Sequence, residues 1–213
     1  PQGHVGSKQL KVVCRRCNSG WLSQLENRIQ PTLLPLITGE RRNLTEGEQA
    51  LLATWAAKIA MVAEHFRPID HGISQDERTW LMNELTPPTK WFVWIAAYDG
   101  KEWGDLSITQ VRVALNPTPV TRPSDARYYG QATTFGVGHI LFCVVSGSSP
   151  DMETSFGGRD ADGLLQIWPI CPRSILWPPQ TILGDQQAHT LANIFKWSGA
   201  FDQSFDPGAN WTF

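Results

Sequence analysis

Two cysteines separated by two residues, Cys14 and Cys17, have the residue types and spacing best suited to chemistry in this sequence. The C-x-x-C spacing lets two sulfur atoms reach one metal ion, and structural zinc sites commonly combine two such pairs around a tetrahedral ion. The basic side chains of Lys11, Arg15 and Arg16 are close in the sequence and favour the thiolate forms that bind metal. The pair therefore predicts half of a structural zinc site.

The remaining zinc ligands have three candidate sources. Cys143 and Cys171 lie far along the chain, and the apolar run around Cys143 is typical of a buried strand, in which cysteine serves as a small core residue. His4 is near enough in sequence to supply one ligand. The chain begins at Pro1 without a methionine, so we expect that a partner pair of cysteines precedes it, and this is the most economical source.

The elements around the pair suggest a knuckle between a strand and a helix. Residues 8–13 have the β-branched character of a short strand, which would lead into Cys14. From residue 18 the apolar positions Trp21, Leu22, Leu25 and Ile29 form one helical stripe, and Pro31 is predicted to end that helix.

The rest of the chain predicts further helices followed by strands. Thr45 with Glu48, and Ser74 with Glu77, have the spacing of capping boxes, and Trp80, Leu81 and Leu85 form the apolar stripe of the second of these helices. After residue 90 the stretches WFVWIAAY, LSITQVRVAL, YYGQATTFGVGHILFCVV and LLQIWPI are rich in strand-forming residues. A last helix is predicted with Asp185 as its N-cap.

These elements predict an α+β fold. Its expected parts are a partial treble-clef module of knuckle and helix, a helical stretch, an antiparallel sheet of about four or five strands and a closing C-terminal helix. The change in composition divides the chain into a module at 1–42 and a tryptophan-rich domain at 43–213, which holds most of the ten tryptophans.

The charge of the chain is unevenly distributed. The net charge is −2, yet residues 1–42 carry seven basic and two acidic residues, a balance of +5. This asymmetry predicts either a surface that meets an anion such as nucleic acid or a solvated basic face. The basic residues are Lys8, Lys11, Arg15, Arg16, Arg28, Arg41 and Arg42.

No apolar run reaches the ~18 residues of a membrane span, so a cytoplasmic location without a membrane partner is expected.

The segment VVCRRCNSGWLSQLE resembles the second half of the zinc-bound finger in bacterial and phage proteins of the HNH endonuclease family, whose fold is the His-Me finger. The family element C-x-x-C-N-x-G-W-x-x-x-L-E is matched by Cys14, Cys17, Asn18, Gly20, Trp21, Leu25 and Glu26. The segments LATWAAKIAMVAE, TFGVGHILFCVV and QIWPICPRSILWPP also resemble the downstream region of that family. The first C-x-x-C and the histidine element of the family are missing from this sequence.

The resemblance implies roles for individual residues. Asn18 would bind a catalytic Mg²⁺ or Mn²⁺ ion through its amide oxygen, although asparagine at the start of a helix is also a common N-cap. His4 is the candidate general base, while His65, His71, His139 and His189 are expected to be structural or exposed. Lys8, Lys11, Arg15, Arg16 and Arg28 would contact phosphates.

Two functions follow from these residues. The first is an HNH-type, metal-dependent endonuclease that hydrolyses DNA, in an incomplete or inactive form. The alternative is a non-catalytic domain that binds nucleic acid or a protein partner and retains a structural zinc knuckle.

Overall fold

The structure is a computed structural model that describes residues 12–66, 72–105, 107–114, 129–147, 163–170 and 173–193. Helices precede a mainly antiparallel sheet, and one helix follows it, so the predicted α+β class is confirmed. The helices in the described ranges are α1 (Arg15–Cys17), α2 (Ser23–Ile37), α3 (Glu46–Ala63), α4 (Gln75–Glu84) and α5 (Asp185–Asn193). The strands are β1 (Arg42–Leu44), β2 (Phe92–Tyr98), β3 (Ile108–Ala114), β4 (Tyr129–Val137), β5 (Ile140–Gly147), β6 (Leu165–Trp168), β7 (Ile175–Trp177) and β8 (Ile182–Leu183).

The main sheet has the strand order β3-β4-β5-β2-β6, with antiparallel neighbours throughout. The short strand β8 pairs in parallel with the end of β2, where Ala97 is opposite Ile182. Strands β1 and β7 form a separate antiparallel pair in which Asn43 is opposite Leu176. The parallel pairing of β8 departs from the antiparallel sheet that the sequence predicted, while the β1–β7 pair is a second sheet.

Helices cover both faces of the main sheet. Along β2, Val93 and Ile95 belong to the cluster that contains α2 and α3, while the intervening Trp94 and Ala96 pack toward α5. This follows from the two-residue period of a strand, whose successive side chains point to opposite faces. A strand buried on both sides is apolar without alternation, as the sequence WFVWIAAY is.

Helix α3 is the element that joins the helical layer to the sheet. Its predicted capping box is confirmed, because the Thr45 side chain accepts from the Glu48 N–H and the Glu48 carboxylate accepts from the Thr45 N–H. The indole of Trp55 packs edge-on against the rings of Phe135 and Phe142, at centroid distances of 5.9 and 5.5 Å. The capping box of α4, between Ser74 and Glu77, is also present.

Pro31 does not end the helix that follows the cysteine pair, contrary to the sequence prediction. Helix α2 continues through Pro31 and Pro35 to Ile37. Proline lacks the N–H that would bond four residues back, so Pro35 leaves the carbonyl of Pro31 without its helical partner. The guanidinium of Arg42 donates to that carbonyl at 2.9 Å. A side chain from β1 therefore replaces the missing backbone bond.

Three further predictions need correction. Val12 and Val13 are not in a strand, while the rest of the predicted strand at 8–13 is outside the described residues. Asp185 is the first residue of α5 rather than its N-cap, because its carboxylate accepts from the loop before β3. On α4 only Leu81 of the predicted stripe is buried, and Trp80 is 42% exposed.

In the described parts of the chain, no helix is both long and apolar enough to cross a membrane.

The predicted boundary between residues 42 and 43 lies within β1, and it stays a prediction. Ile29 and Leu36 from the first predicted unit belong to the same buried cluster as Leu52 and Ile95 from the second.

Candidate metal and nucleic-acid site

Cys14 caps the helix that carries the rest of the motif. Its backbone is extended, with φ −68° and ψ 157°, and its Sγ atom accepts a hydrogen bond from the Cys17 N–H at 3.3 Å. The helical path therefore begins at Arg15, four residues earlier than the sequence predicted. Asn18, which was a candidate N-cap, lies inside that path, and its N–H donates to the Cys14 carbonyl at 3.0 Å. The side chain of Asn18 is exposed.

The two thiols differ in acidity. The hydrogen bonds that Cys17 provides lower the pKa of Cys14, the backbone N–H having the largest effect. The bond to Cys14 raises the pKa of Cys17, and burial acts in the same direction, while the Trp21 side chain acts against them. Cys14 is exposed, Cys17 is half-buried, and both are free thiols. The pKa of Cys14 is therefore shifted below the ordinary value of a thiol, and that of Cys17 above it.

Both cysteines line a cavity of about 530 Å³, which we call the knuckle cavity. It separates the cysteine pair from the end of α3 and from α4, and most of its wall is apolar. Its lining residues are Val12, Val13, Cys14, Cys17, Trp21, Leu22, Lys58, Met61, Val62, His65, Ile73, Gln75, Arg78, Thr79, Leu81 and Met82.

The other motif residues build the base of the knuckle. A π-helical turn, Asn18–Leu22, connects α1 to α2, and within it Gly20 departs from helical values with φ −100° and ψ −113°. Leu25 is buried at 3% exposure. The Glu26 carboxylate accepts from the Trp55 indole at 3.1 Å and pairs with Lys58 on α3. These contacts fix the direction of α2, and through it the position of the cysteine pair.

The arginines predicted to contact phosphates are exposed. Arg15 and Arg16 are on α1, directly between the two cysteines, and Arg28 is on α2. At 1.5 Å per residue, Arg28 is roughly 18 Å along the helix from Arg16, beyond the ~8 Å over which salt screens exposed charges. The structure thus places Arg15 and Arg16 beside the thiols and Arg28 at a distance. Lys8 and Lys11 are outside the described residues.

The described histidines have separate surroundings. His65 is in the turn that ends α3, is half-buried and lines the knuckle cavity. His139 Nδ1 is 3.0 Å from the Tyr98 carbonyl oxygen, and His189 Nε2 is 2.5 Å from Glu102 Oε2. The candidate base His4 and also His71 are outside the described residues.

The residues around the pair fit half of a zinc site. The Cys14 Sγ atom accepts a hydrogen bond from the Cys17 backbone N–H, and both cysteines line one cavity, as two ligands of one ion require. Cys143 is not among them, because it is buried in β5, where burial raises the pKa of its thiol to about 12. In the parts of the chain that the structure describes, no group of three or more His, Cys, Asp or Glu residues could hold a metal ion.

The sequence did not predict the far wall of the knuckle cavity. Met61 and Val62 on α3 and Met82 on α4 supply it, and they are distant in sequence from the cysteines. The one available signal was the methionines, since two of the three in the chain line this cavity and methionine adapts to irregular apolar surfaces.

Comparisons with family models, with curated proteins and with solved structures find no match to this chain.

Proposed function

We propose that this chain is part of an HNH-type, metal-dependent endonuclease acting on DNA, in which Cys14 and Cys17 supply half of a structural zinc site. One observation supports the proposal above others: two free thiols lie at the start of a helix, face one cavity, and flank two exposed arginines. The remaining zinc ligands would come from outside the described residues. Zinc bound by thiolates would hold the start of the helix rigid.

In this proposal different residues around the knuckle bind the DNA phosphates and the catalytic metal ion. Arg15 and Arg16 would contact phosphates, and they occupy the two positions between the zinc ligands, so their backbone is fixed when the thiols bind metal. Asn18 is exposed one residue after Cys17, so its amide oxygen is accessible to a metal ion on the DNA side. A divalent ion there would offset negative charge on the scissile phosphate.

The proposal is tested on the purified 213-residue chain by measuring bound zinc, DNA affinity and nicking of plasmid DNA together. We expect the wild-type chain to bind zinc and the Cys14→Ser and Cys17→Ser variants not to bind it. We also expect both variants to bind DNA more weakly than the wild type. We also expect slow nicking with Mg²⁺ or Mn²⁺ that Asn18→Ala abolishes without affecting DNA affinity. A chain that binds neither zinc nor DNA contradicts the proposal.

A second candidate is a non-catalytic binding domain with a zinc knuckle. The observation that favours it is that His139 and His189 bond to Tyr98 and Glu102, and neither histidine lines the knuckle cavity. Intact zinc and DNA binding, combined with no nicking above the metal-free background, would assign this function instead.

A further inference from the structure

The Trp21 side chain carries a buried donor without an acceptor. Its Nε1 atom is shielded from solvent and has no hydrogen-bond partner among the described residues. Three other tryptophans in the described residues are satisfied: the Nε1 atoms of Trp55 and Trp91 donate to carboxylates, and that of Trp168 donates to a backbone carbonyl. Trp177 Nε1 is also buried and unpaired, but its side chain is in the main core and not at the cysteine pair. Because buried donors are nearly always paired in native proteins, an unpaired one calls for a missing acceptor.

The position of Trp21 indicates which acceptor is missing. Trp21 follows Cys17 by four residues on a helical path, the spacing at which side chains are neighbours, and both residues line the knuckle cavity. The Cys17 sulfur is therefore the neighbouring atom that could become an acceptor for the indole N–H.

A neutral thiol is a weak acceptor, whereas a sulfur that carries negative charge accepts a stronger, charge-assisted bond. Metal binding requires the thiolate. We propose that the Trp21 indole N–H donates a hydrogen bond to the Cys17 sulfur when that sulfur is bound to a metal ion. This inference rests on the proposed zinc site and makes Trp21 a positioning residue, which orients a ligand and holds its negative charge.

Outer-shell donors of this kind typically change metal affinity 10- to 100-fold. We expect Trp21→Phe, which keeps an aromatic ring and removes the N–H, to weaken zinc binding about 10-fold or more. Trp80→Phe is the matched control, because Trp80 is 42% exposed on α4 and does not line the cavity. Circular dichroism of the metal-free variants checks that both fold.

The direct readout is the indole N–H resonance of Trp21 in ¹⁵N-labelled full-length chain, assigned by its loss in Trp21→Phe. We expect that resonance to shift downfield when one equivalent of Zn²⁺ is added, and not to shift in Cys17→Ser. Trp177 is an internal control, since its Nε1 atom is also buried and unpaired but its side chain is in the main core.

The two proposals fail in different ways. If zinc binds but the Trp21 resonance does not move, or if Trp21→Phe binds zinc within twofold of the wild-type affinity, the inference is overturned and the zinc site stands. If zinc does not bind, one equivalent of Hg²⁺ is added instead, because two thiolates are enough to bind this ion. A shift of the Trp21 resonance with Hg²⁺ then supports the inference while the zinc proposal fails, and no shift overturns both.

Discussion

At the scale of single residues, Cys14 and Cys17 have different environments although they are three positions apart. Cys14 is exposed and accepts the Cys17 N–H at the start of the helix, while Cys17 is half-buried and lies four residues before Trp21. A hydrogen bond accepted by the Cys14 sulfur stabilises its thiolate form, whereas Cys17, which donates that bond, gains no such stabilisation of its own thiolate. The metal-free pair is therefore asymmetric, and this asymmetry can be measured.

We expect iodoacetamide to modify Cys14 faster than Cys17 in the metal-free chain at neutral pH. The lowered pKa of Cys14 gives it more thiolate at a given pH, and the raised pKa of Cys17 moves its reaction to higher pH. Mass spectrometry of peptides labelled over a series of pH values measures both rates. Cys143 is the control, because its burial and pKa of about 12 leave it unmodified until the chain unfolds. Equal rates, or a faster Cys17, would contradict the prediction.

At the scale of secondary-structure elements, the direction of α2 depends on side chains from neighbouring elements. Arg42 on β1 donates to the carbonyls of Pro31 and Thr32 and also pairs with Glu48 at the start of α3. One guanidinium therefore connects α2, β1 and α3. Since α2 continues the helical path that starts at the cysteine pair, the same contacts support the knuckle.

Replacing Arg42 by methionine is expected to lower the free energy of unfolding by about 1–3 kcal/mol, because the Pro31 carbonyl and the Glu48 carboxylate lose their charged donor. Urea denaturation followed by circular dichroism measures the change. Arg41→Met is the matched control, since Arg41 is the exposed neighbour and such surface changes alter stability by about 0.5 kcal/mol or less. A loss no larger than that of the control would show that the helix does not need this bond.

The start of α5 is tied to the loop after β2 by a second group of hydrogen bonds. The Tyr98 hydroxyl donates to the Asp185 carboxylate and accepts from the N–H groups of Glu102 and Trp103, at 2.9 and 3.0 Å. Burial and the bond to Asp185 raise the pKa of Tyr98 to about 12, and the bond from Tyr98 lowers the pKa of Asp185 below its ordinary 3.8. Asp185 thus anchors a loop instead of capping its helix.

We expect Asp185→Asn to lower the melting temperature at pH 7 and to have little effect at about pH 2. A carboxylate with a depressed folded-state pKa stabilises the protein above its unfolded pKa, and this stabilisation is lost as the pH falls through the folded value. Thermal unfolding of both chains at several pH values measures the difference. Asp76→Asn, in the exposed first turn of α4, is the control for removing a charge at a helix start. A difference between Asp185→Asn and wild type that does not shrink on acidification would contradict the assignment.

At the scale of the whole molecule, the basic residues of the first 42 are not all available to a ligand. Arg42 is used inside the fold, whereas Arg15, Arg16 and Arg28 are exposed. Glu26, one of the two acidic residues in that stretch, is paired with Lys58 of α3. These two pairings remove one basic and one acidic residue, so the balance of +5 in this stretch is unchanged. Arg15 and Arg16 remain exposed next to the cysteine pair, and this is the end of the fold at which we expect an anionic partner.

If these arginines contact phosphates, the double substitution Arg15→Ala, Arg16→Ala will weaken DNA binding and reduce the salt dependence. The slope of log K against log salt is expected to fall by about 2, because each lost phosphate contact removes roughly one released counterion. Fluorescence anisotropy over a series of salt concentrations measures this slope. The control Lys90→Ala, Arg173→Ala removes two exposed charges from the other part of the chain. Equal slopes for the two double variants would place the DNA elsewhere.

The amino-acid sequence by itself determined the parts of this protein that depend on neighbours along the chain. The capping boxes at Thr45 and Ser74, the strands after residue 90 and the burial of Cys143 were all predicted, because each depends on local hydrogen bonds or on the periodicity of apolar residues. The α+β class follows from the order of these elements. The C-x-x-C spacing likewise identified the pair of thiols before any coordinates were considered.

Only the tertiary structure decided the features that depend on residues far apart. Helix α2 continues through Pro35 with Arg42 of β1 donating to the Pro31 carbonyl in place of the missing N–H. Asp185 is not at the cap position, and its carboxylate is bound by Tyr98 and a distant loop. The knuckle cavity exists because Met61 and Met82 approach the cysteines from other helices. Contacts of this kind are not encoded in a short window, since their energies depend on which elements pack together, and packing is settled only when the whole chain folds.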